Sequence, residues 1–323
     1  MAPADVLRDT GPGAGASRLR GRLSRVLVTA QVASAAVLLV GGALLGRSLA
    51  AMGSVDPGFR PEGVLTARVT LSGPRYADPG PRLAYLERLR DGLTALPGVR
   101  SVGLAGSIPF GVMGMGVAMR AEGVTTDPNE LPVLDHYPIG PGYLGTLGIP
   151  VVEGRGIESA DRWGGRRVAL LDATAARLLW PDGSAVGKRV GWPYGDAPWL
   201  TVVGVVGAVG DDEVTAAPTP TLYTSFAQGT PEAASLVIRH GEAAAAASLA
   251  SSVRALVAEL DPSVTVSRVA PYPDLLAGSY ARARLVASIV LLFAGVTLVL
   301  GCLGVYGVAA YAVRERTREI GIR

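Results

Sequence analysis

Two apolar stretches without a charged residue, Val26 to Gly46 and Leu285 to Val313, bracket almost the whole of this 323-residue chain. The first has about 21 residues; at ~1.5 Å per residue it reaches ~31 Å, enough for a ~30 Å hydrocarbon core. The second has about 29 and crosses with tilt or projects a turn or two. Soluble helices of this length carry a polar face. A secretory signal has a shorter apolar core, ~7–15 residues, and a small-residue exit that is not obvious before Arg47. The pattern therefore predicts transmembrane helices at 23–47 and 285–313 with a large domain, 53–280, held between them.

Charge sets the orientation. Residues 1–22 form a basic tail in which Arg8, Arg18, Arg20 and Arg22, followed by Arg25, outweigh Asp5 and Asp9. After the second stretch, Arg314, Arg316, Arg318 and Arg323 outweigh Glu315 and Glu319. Both tails are predicted to be cytoplasmic. The whole chain carries +3, which leaves the segment between the stretches at about −2, on the extracytoplasmic side. The pI of 9.2 thus reflects membrane topology, and nucleic acid is not an expected partner.

Chemistry of the usual catalytic kinds is not expected. Cys302 is the only cysteine and lies in the second stretch, so no disulfide forms within the chain. His136 and His240, far apart in sequence, read as surface or strand-edge residues, and no metal site is expected. Gly183 to Arg189 imitates a phosphate loop but has three residues between its glycines, not four, and Arg189 where a magnesium-holding hydroxyl belongs. A turn into a strand fits better. Asp211-Asp212-Glu213 lacks the spaced oxygens of a calcium loop and reads as a solvated turn. The four tryptophans, Trp163, Trp180, Trp192 and Trp199, suit core packing at least as well as a ligand groove.

Between the stretches, strands are predicted at 64–71, 99–105, 116–122, 133–137, 167–171, 200–209, 221–226, 235–239 and 264–269. Strand 200–209, almost wholly apolar, is expected at the centre with 221–226 and 235–239 as its neighbours. Leu83, Leu86, Leu89, Leu93 and Leu96 mark a helix opened by Pro81 and stopped by Pro97-Gly98; a short helix ends at Gly148. Asp172 caps a helix over 173–180, Glu242 to Leu260 is helical, and a helix from Pro273 feeds the second stretch. Strands and helices do not alternate strictly, so the fold class is a membrane protein with transmembrane α-helices flanking an α+β extracytoplasmic domain. Gly42 and Gly46 on the first stretch, and Thr297, Gly301 and Gly304 on the second, offer small surfaces for close helix packing.

Several local strings then resemble one family. They are Val32 to Leu45 followed by Val55-Asp56-Pro57-Gly58-Phe59, Leu96-Pro97-Gly98-Val99, the run Gly142 to Pro150, Gly154-Arg155, Val186 to Arg189, Val203 to Gly207, Leu222-Tyr223 with Gln228, and Leu260-Asp261-Pro262. Gly304-Val305-Tyr306-Gly307-Val308 and Arg316 to Arg323 complete the set. Their order and spacing resemble the FtsX-like permeases of ABC transporters, of the MacB type with a periplasmic core domain. The resemblance covers nearly the whole chain from Arg22 onward.

That resemblance implies a non-catalytic permease subunit of the inner membrane, multi-pass, with no cofactor of its own. ATP would be bound by a partner ABC ATPase, whose dimerisation drives a coupling region; for that role the resemblance points to Arg316, Arg318, Glu319, Gly321 and Arg323. The partners implied are that ATPase, a second permease copy or half, and membrane lipid, and the mechanism is mechanotransmission to the extracytoplasmic domain. In the family the string at Arg323 continues into a coupling helix and two more spans, so the chain is expected to be a piece of a permease that is duplicated in some relatives. A transmembrane sensor or chemoreceptor with an extracytoplasmic ligand-binding domain shares the outline and is the alternative.

Overall fold

The computed structural model describes residues 13–52, 56–111, 114–124, 127, 130–193, 197–210, 219–241 and 246–320, without every side chain at the helix ends. The acidic turn at Asp211 lies outside them. The chain forms two compact units, Met1–Ser54 with Tyr280–Arg323, and Val55–Ser279.

In the larger unit a first lobe is built from β1 (Val64–Thr70), α2 (Pro79–Thr94), β2 (Val99–Ala105), β11 (Ala233–His240), α5 (Ala246–Leu260) and β12 (Thr265–Pro271). The strand order β12-β1-β11-β2 is antiparallel at every step. Each helix therefore joins two parallel strands with a third between them, the split β-α-β arrangement of ferredoxin-like sheets. Along β2, Val102 and Leu104 face the core shared with Tyr85, Leu86, Leu89 and Leu93 of α2 and Leu249, Val253 and Val257 of α5. Gly103 points the other way, against α3 (Tyr143–Leu147). A Cβ there would stand 2.6 Å from the Tyr143 Cα, so only glycine permits this approach. Arg239, on the same side of β11, donates to the backbone carbonyls of Thr146, Glu62 and Arg60 at 2.7 to 3.0 Å.

The second lobe is inserted between β2 and β11. It contains β3 (Met115–Ala118), β4 (Arg120–Ala121), β5 (Val133–Ile139), β6 (Val151–Gly154), β7 (Val168–Asp172), α4 (Ala173–Leu179), β8 (Arg189–Gly191), β9 (Leu200–Val206) and β10 (Thr221–Ser225). The sheet runs on from β2 as β5-β10-β7-β9-β8-β4, with β3 on β5 and β6 on β9. A separate core of Leu171, Ala175, Leu179, Val190, Val202 and Leu222 holds it. Asp172 caps α4 as predicted, accepting from the Ala175 N–H at 2.7 Å, and also from the Thr221 N–H at 3.0 Å. Its burial raises the carboxyl pKa. The lobes share one strand pair, Ala105 with Ile139, reinforced by Gly106 N–H to Pro138 O and Gly140 N–H to Leu104 O, both 2.8 Å.

Several expectations are corrected. β10 and β11 are not neighbours of β9, which pairs with β7, β8 and β6. The predicted strand 116–122 breaks at Met119, whose N–H bonds Pro132 O, and its halves pair with β5 and β8. Helix α2 begins at Pro79, two residues before Pro81, because proline at the first helical position costs no hydrogen bond. β6 is an added edge strand with all four residues exposed, so no apolar alternation announces it. His240 is buried and His136 half-buried, so neither is a fully exposed surface residue. His240 is 5% exposed; His136 sits on β5, its Nε2 2.8 Å from Thr224 Oγ1 and its ring edge-on to Trp192, and burial pushes its pKa down to about 4.

Asp261 closes the first lobe. Its carboxylate accepts from Ser263 Oγ at 2.6 Å, Tyr76 Oη at 2.7 Å, the Ser263 N–H at 2.9 Å and Arg75 Nη1 at 2.8 Å. The Ser263 and Tyr76 hydroxyls, more than the Arg75 charge, pull its pKa down to about 2. Because the folded value lies below the unfolded one of ~3.9, the stabilisation is complete above about pH 4 and is lost as pH falls through about 2. The urea midpoint gap between wild type and Asp261→Asn should therefore be constant from pH 7 to about 5 and shrink toward pH 2; a gap independent of pH would contradict this assignment.

Candidate functional site

The smaller unit contains α1 (Gly13–Met52) and the part of α6 (Tyr272–Ile320) beyond Ser279. Within α6, Leu285–Gly307 is long and apolar enough to cross a membrane; the apolar part of α1, Val28–Leu44, is shorter. Small side chains face inward: Ala35 is 3%, Ala287 4% and Ala294 0% exposed. A Cβ at Gly42 would lie 2.8 Å from Leu291 Cδ2, at Gly304 3.2 Å from Val28 Cγ2, and at Gly301 3.7 Å from Val32 Cγ2. At Gly46 it would meet nothing within 4 Å. Large apolar side chains, including Val37, Leu44, Leu292, Phe293 and Leu303, point outward. This inverts the packing of a soluble helix pair and follows the small-residue interfaces of helices in lipid.

Of the residues singled out for coupling, Arg316, Arg318 and Glu319 stand on the last turns of α6, which is helical to Ile320. Gly321 and Arg323 lie outside the described residues.

The chain's entry to the larger unit and its exit from it meet in one aromatic cluster. Asp56 Oδ1 accepts from the Gly58 N–H at 2.9 Å, and Gly58 takes φ +78°, where any Cβ would fall 2.0 Å from Ala208 O. This turn sets Phe59, 4% exposed, against Tyr272, the first residue of α6, with centroids 5.0 Å apart. Phe110 stands 6.4 Å from Phe59, and the Tyr272 hydroxyl donates to Pro109 O at 2.9 Å. Phe110 (φ 58°) and Arg268 (φ 51°) are the non-glycine residues of positive φ among those described. Both belong to this junction, since Arg268 lies at the β12 bulge opposite Ala67 and its guanidinium reaches Gly111 O at 3.4 Å. Such conformations cost on the order of 1–3 kcal/mol and concentrate at functional positions. Sequence patterning marked Phe59 only through its motif and missed Phe110 and Arg268, because nothing in residue type announces a left-handed phenylalanine.

The imitation phosphate loop is a turn, with Lys188 N–H to Ala185 O at 3.2 Å leading into β8. Lys188 Nζ lies 4.9 Å from the Trp180 ring centroid, and Arg189 pairs with Glu122. Trp180 is a core residue and Trp192 packs on the second lobe, whereas Trp199 lies under the guanidiniums of Arg120 and Arg189. Trp163 is 72% exposed. Among the described residues no three His, Cys, Asp or Glu side chains converge as metal ligands.

Two lobes of α+β structure, entered from one long helix and left by another with a span-length apolar segment, define the class: a two-lobed α+β domain set between long helices. A model of the MacB-like periplasmic core domain matches residues 35–270, more than half of the chain, which therefore belongs to that family. The family places it among MacB/FtsX-type permease components of ABC transporters, proteins of the inner membrane. Among solved structures it is similar to the periplasmic region of MacB from Actinobacillus actinomycetemcomitans, at 17% identity and a TM-score of 0.42 over 65% of this chain and 90% of that one. It is also similar to the extracellular domain of the noncanonic ABC-type transporter YknZ from Gram-positive bacteria, at 16% identity and a TM-score of 0.42 over 63% of this chain and 100% of that one. No curated protein sequence matches it.

Gly42→Ile should loosen the helix pair, because a branched side chain must displace Leu291, whose Cδ2 stands 2.8 Å from a Cβ at that position. Gly46→Ala should leave it unchanged or slightly firmer. The thermal midpoint in detergent should drop for the first only; equal effects would refute the asymmetry. Lys188→Ala should remove a cation–π contact worth ~0.5–1 kcal/mol at an exposed site and leave nucleotide affinity of any assembled transporter unchanged, read by filter binding of labelled ATP.

Proposed function

We propose that this chain is a permease subunit that couples ATP hydrolysis by a separate cytoplasmic ATPase to movement of its extracytoplasmic domain. In this reading α1 and α6 are both membrane spans, the tails at 1–22 and 314–323 are cytoplasmic, and the domain at 53–280 is outside. The chain acts with a second permease copy or half in the lipid bilayer and takes no cofactor. Arg316, Arg318, Glu319, Gly321 and Arg323 would meet the ATPase. An exposed Glu–Arg pair on a helix contributes only ~0.3–0.5 kcal/mol, so the value of Glu319 lies in a partner's groove, where leaving one charge of a pair alone costs several times more.

The observation that carries the reading is the junction. Tyr272 opens α6 and is fully buried, so displacement of that helix acts directly on Phe59 and on the Pro109 carbonyl. The loop carrying Pro109 starts at Gly106, beside the one strand pair that joins the lobes. A push along α6 would thus be delivered to the connection between the lobes, with the strained Phe110 as the part that yields.

Two experiments test this. In a Cys302→Ser background, cysteines at Ser24, Glu232 and Thr317 should react with an impermeant maleimide in intact cells only at Glu232; labelling at Thr317 would end the topology. In a full-length transporter, Tyr272→Phe leaves the Pro109 carbonyl short of its donor at a cost of ~1–3 kcal/mol. It should lower stimulation of the ATPase several-fold with insertion intact, as should Glu319→Ala. Normal coupling in both variants would reduce the junction to structure and the C-terminal cluster to a topogenic anchor.

A further inference from the structure

Trp163 is the most exposed tryptophan of the larger unit, and it is presented on a rigid loop. The Trp163 N–H donates to Ala227 O at 3.2 Å and the Gly165 N–H to Arg162 O at 3.1 Å. The Gln228 amide nitrogen donates to Arg166 O at 2.7 Å and Arg162 O at 3.4 Å, and its oxygen accepts from the Val168 N–H at 3.1 Å. Upstream, Asp161 is locked by Arg155 at 2.7 Å and by the Glu158 N–H at 2.8 Å, and its own carbonyl accepts from Ser225 Oγ at 2.5 Å. Little ordering entropy remains to be lost when such a loop binds.

Beside the indole lies a groove of about 400 Å³ lined by Pro79, Leu83, Trp163, Ala227, Gln228 and Thr230. Its surface is mostly carbon. The Gln228 amide is consumed by the loop, and the Thr230 hydroxyl donates to Phe226 O at 3.2 Å. The start of α2 borders the groove, but Pro79 and Pro81 remove two of the N–H groups that make other helix starts anion sites. Charge enters only at the rim. The Arg167 guanidinium lies 4.8 Å from the Trp163 ring centroid; Arg166 is exposed, and Arg82, bonded to Thr230 O at 3.0 Å, is 11% exposed. Arg162 is neutralised by Glu87 at 2.7 Å, and Glu232 stands 3.8 Å from Arg82. The rim is basic in a segment that is net acidic.

We infer that residues 162–167 and the adjoining groove form a docking site for an acidic segment of an extracytoplasmic partner protein, one that inserts an apolar side chain beside Trp163 and sets carboxylates against Arg166 and Arg167. Tryptophan and arginine on a rigid loop beside an apolar recess are the residues that dominate protein interfaces. The inference is independent of whether the helices couple to an ATPase.

The test uses the full chain in detergent and fluorescein-labelled peptides read by anisotropy: one with a Leu-Phe core flanked by Asp and Glu, one flanked by Lys, and one with a Ser core. The acidic Leu-Phe peptide should bind, and both controls should bind at least about tenfold more weakly. Trp163→Ala should weaken binding at least about tenfold, and Arg166→Glu with Arg167→Glu about as much, with affinity falling as salt rises. Because Trp163 is exposed, the thermal midpoint of Trp163→Ala should match wild type, separating a lost site from a lost fold. Absent binding, equal binding of the Lys peptide, or unchanged binding by Trp163→Ala would overturn the inference. So would Trp163-dependent uptake of N-phenyl-1-naphthylamine without peptide binding, which marks a small-molecule site, or Trp163-dependent self-association in sedimentation, which marks a second copy.

Discussion

Strand β1 is hydrogen-bonded to β11 on one side and to β12 on the other, so the first and last strands of the ectodomain lie side by side. Everything at the domain's base follows from that pairing. It brings Phe59, just ahead of β1, to Tyr272, just after β12, and it makes entry and exit one mechanical point. Closing some 200 residues between them costs loop entropy that grows only slowly with length. The sheet therefore tolerates the second lobe as an insertion between β2 and β11, at the expense of slow, non-local folding.

The insertion continues the sheet of the first lobe through little strand pairing, and Gly210 N–H to Pro57 O at 2.8 Å and Arg60 N–H to Leu147 O at 2.7 Å tie it further at the base. One strand pair and two flanking hydrogen bonds carry the continuity of a sheet that is otherwise paired over several residues at nearly every step. Each lobe has its own apolar cluster, and Phe226, just after β10 of the inserted lobe, is buried in the cluster of the first. The loop that receives the Tyr272 hydroxyl begins beside this pair. Phe110 and Arg268 store backbone strain at that same place, and a strained segment is held only while its surroundings over-determine it.

Local structure was legible in the sequence where a residue type has one physical use. The leucines of α2, the Asp172 cap and strand 99–105 stand where periodicity and capping put them. Sheet order was not legible, because alternation fixes which face a side chain takes but not which strand lies alongside; β10 and β11 show this by pairing away from β9. The half-buried place of His136 is not legible, because a lone histidine carries no burial signal and its environment is made by Thr224 and Trp192 from distant segments. At the candidate site, the Asp56 to Phe59 motif could be read, while the partners Tyr272 and Phe110 could not; of the glycines on the helix pair, Gly42 and Gly304 lie against side chains of the other helix and Gly46 does not. Sequence alone does not distinguish the buried indole of Trp180 from that of Trp163, held out by its loop.

The two units obey opposite packing rules, and the difference bears on what surrounds them. In the ectodomain large apolar side chains are inside, as water requires. In the helix pair Ala35, Ala287 and Ala294 are inside, while Leu292, Phe293 and Leu303 are out. Water would penalise that outward surface at roughly 25 cal/mol per Å² and gain nothing from the buried alanines. The same arrangement is favourable where the surroundings are as apolar as leucine, because close backbone approach then supplies the attraction. Gln31 fits this logic. Its amide oxygen would lie 3.6 Å from a Cβ at Gly304, so the polar group on the apolar face of α1 is turned toward the neighbouring helix beside a glycine.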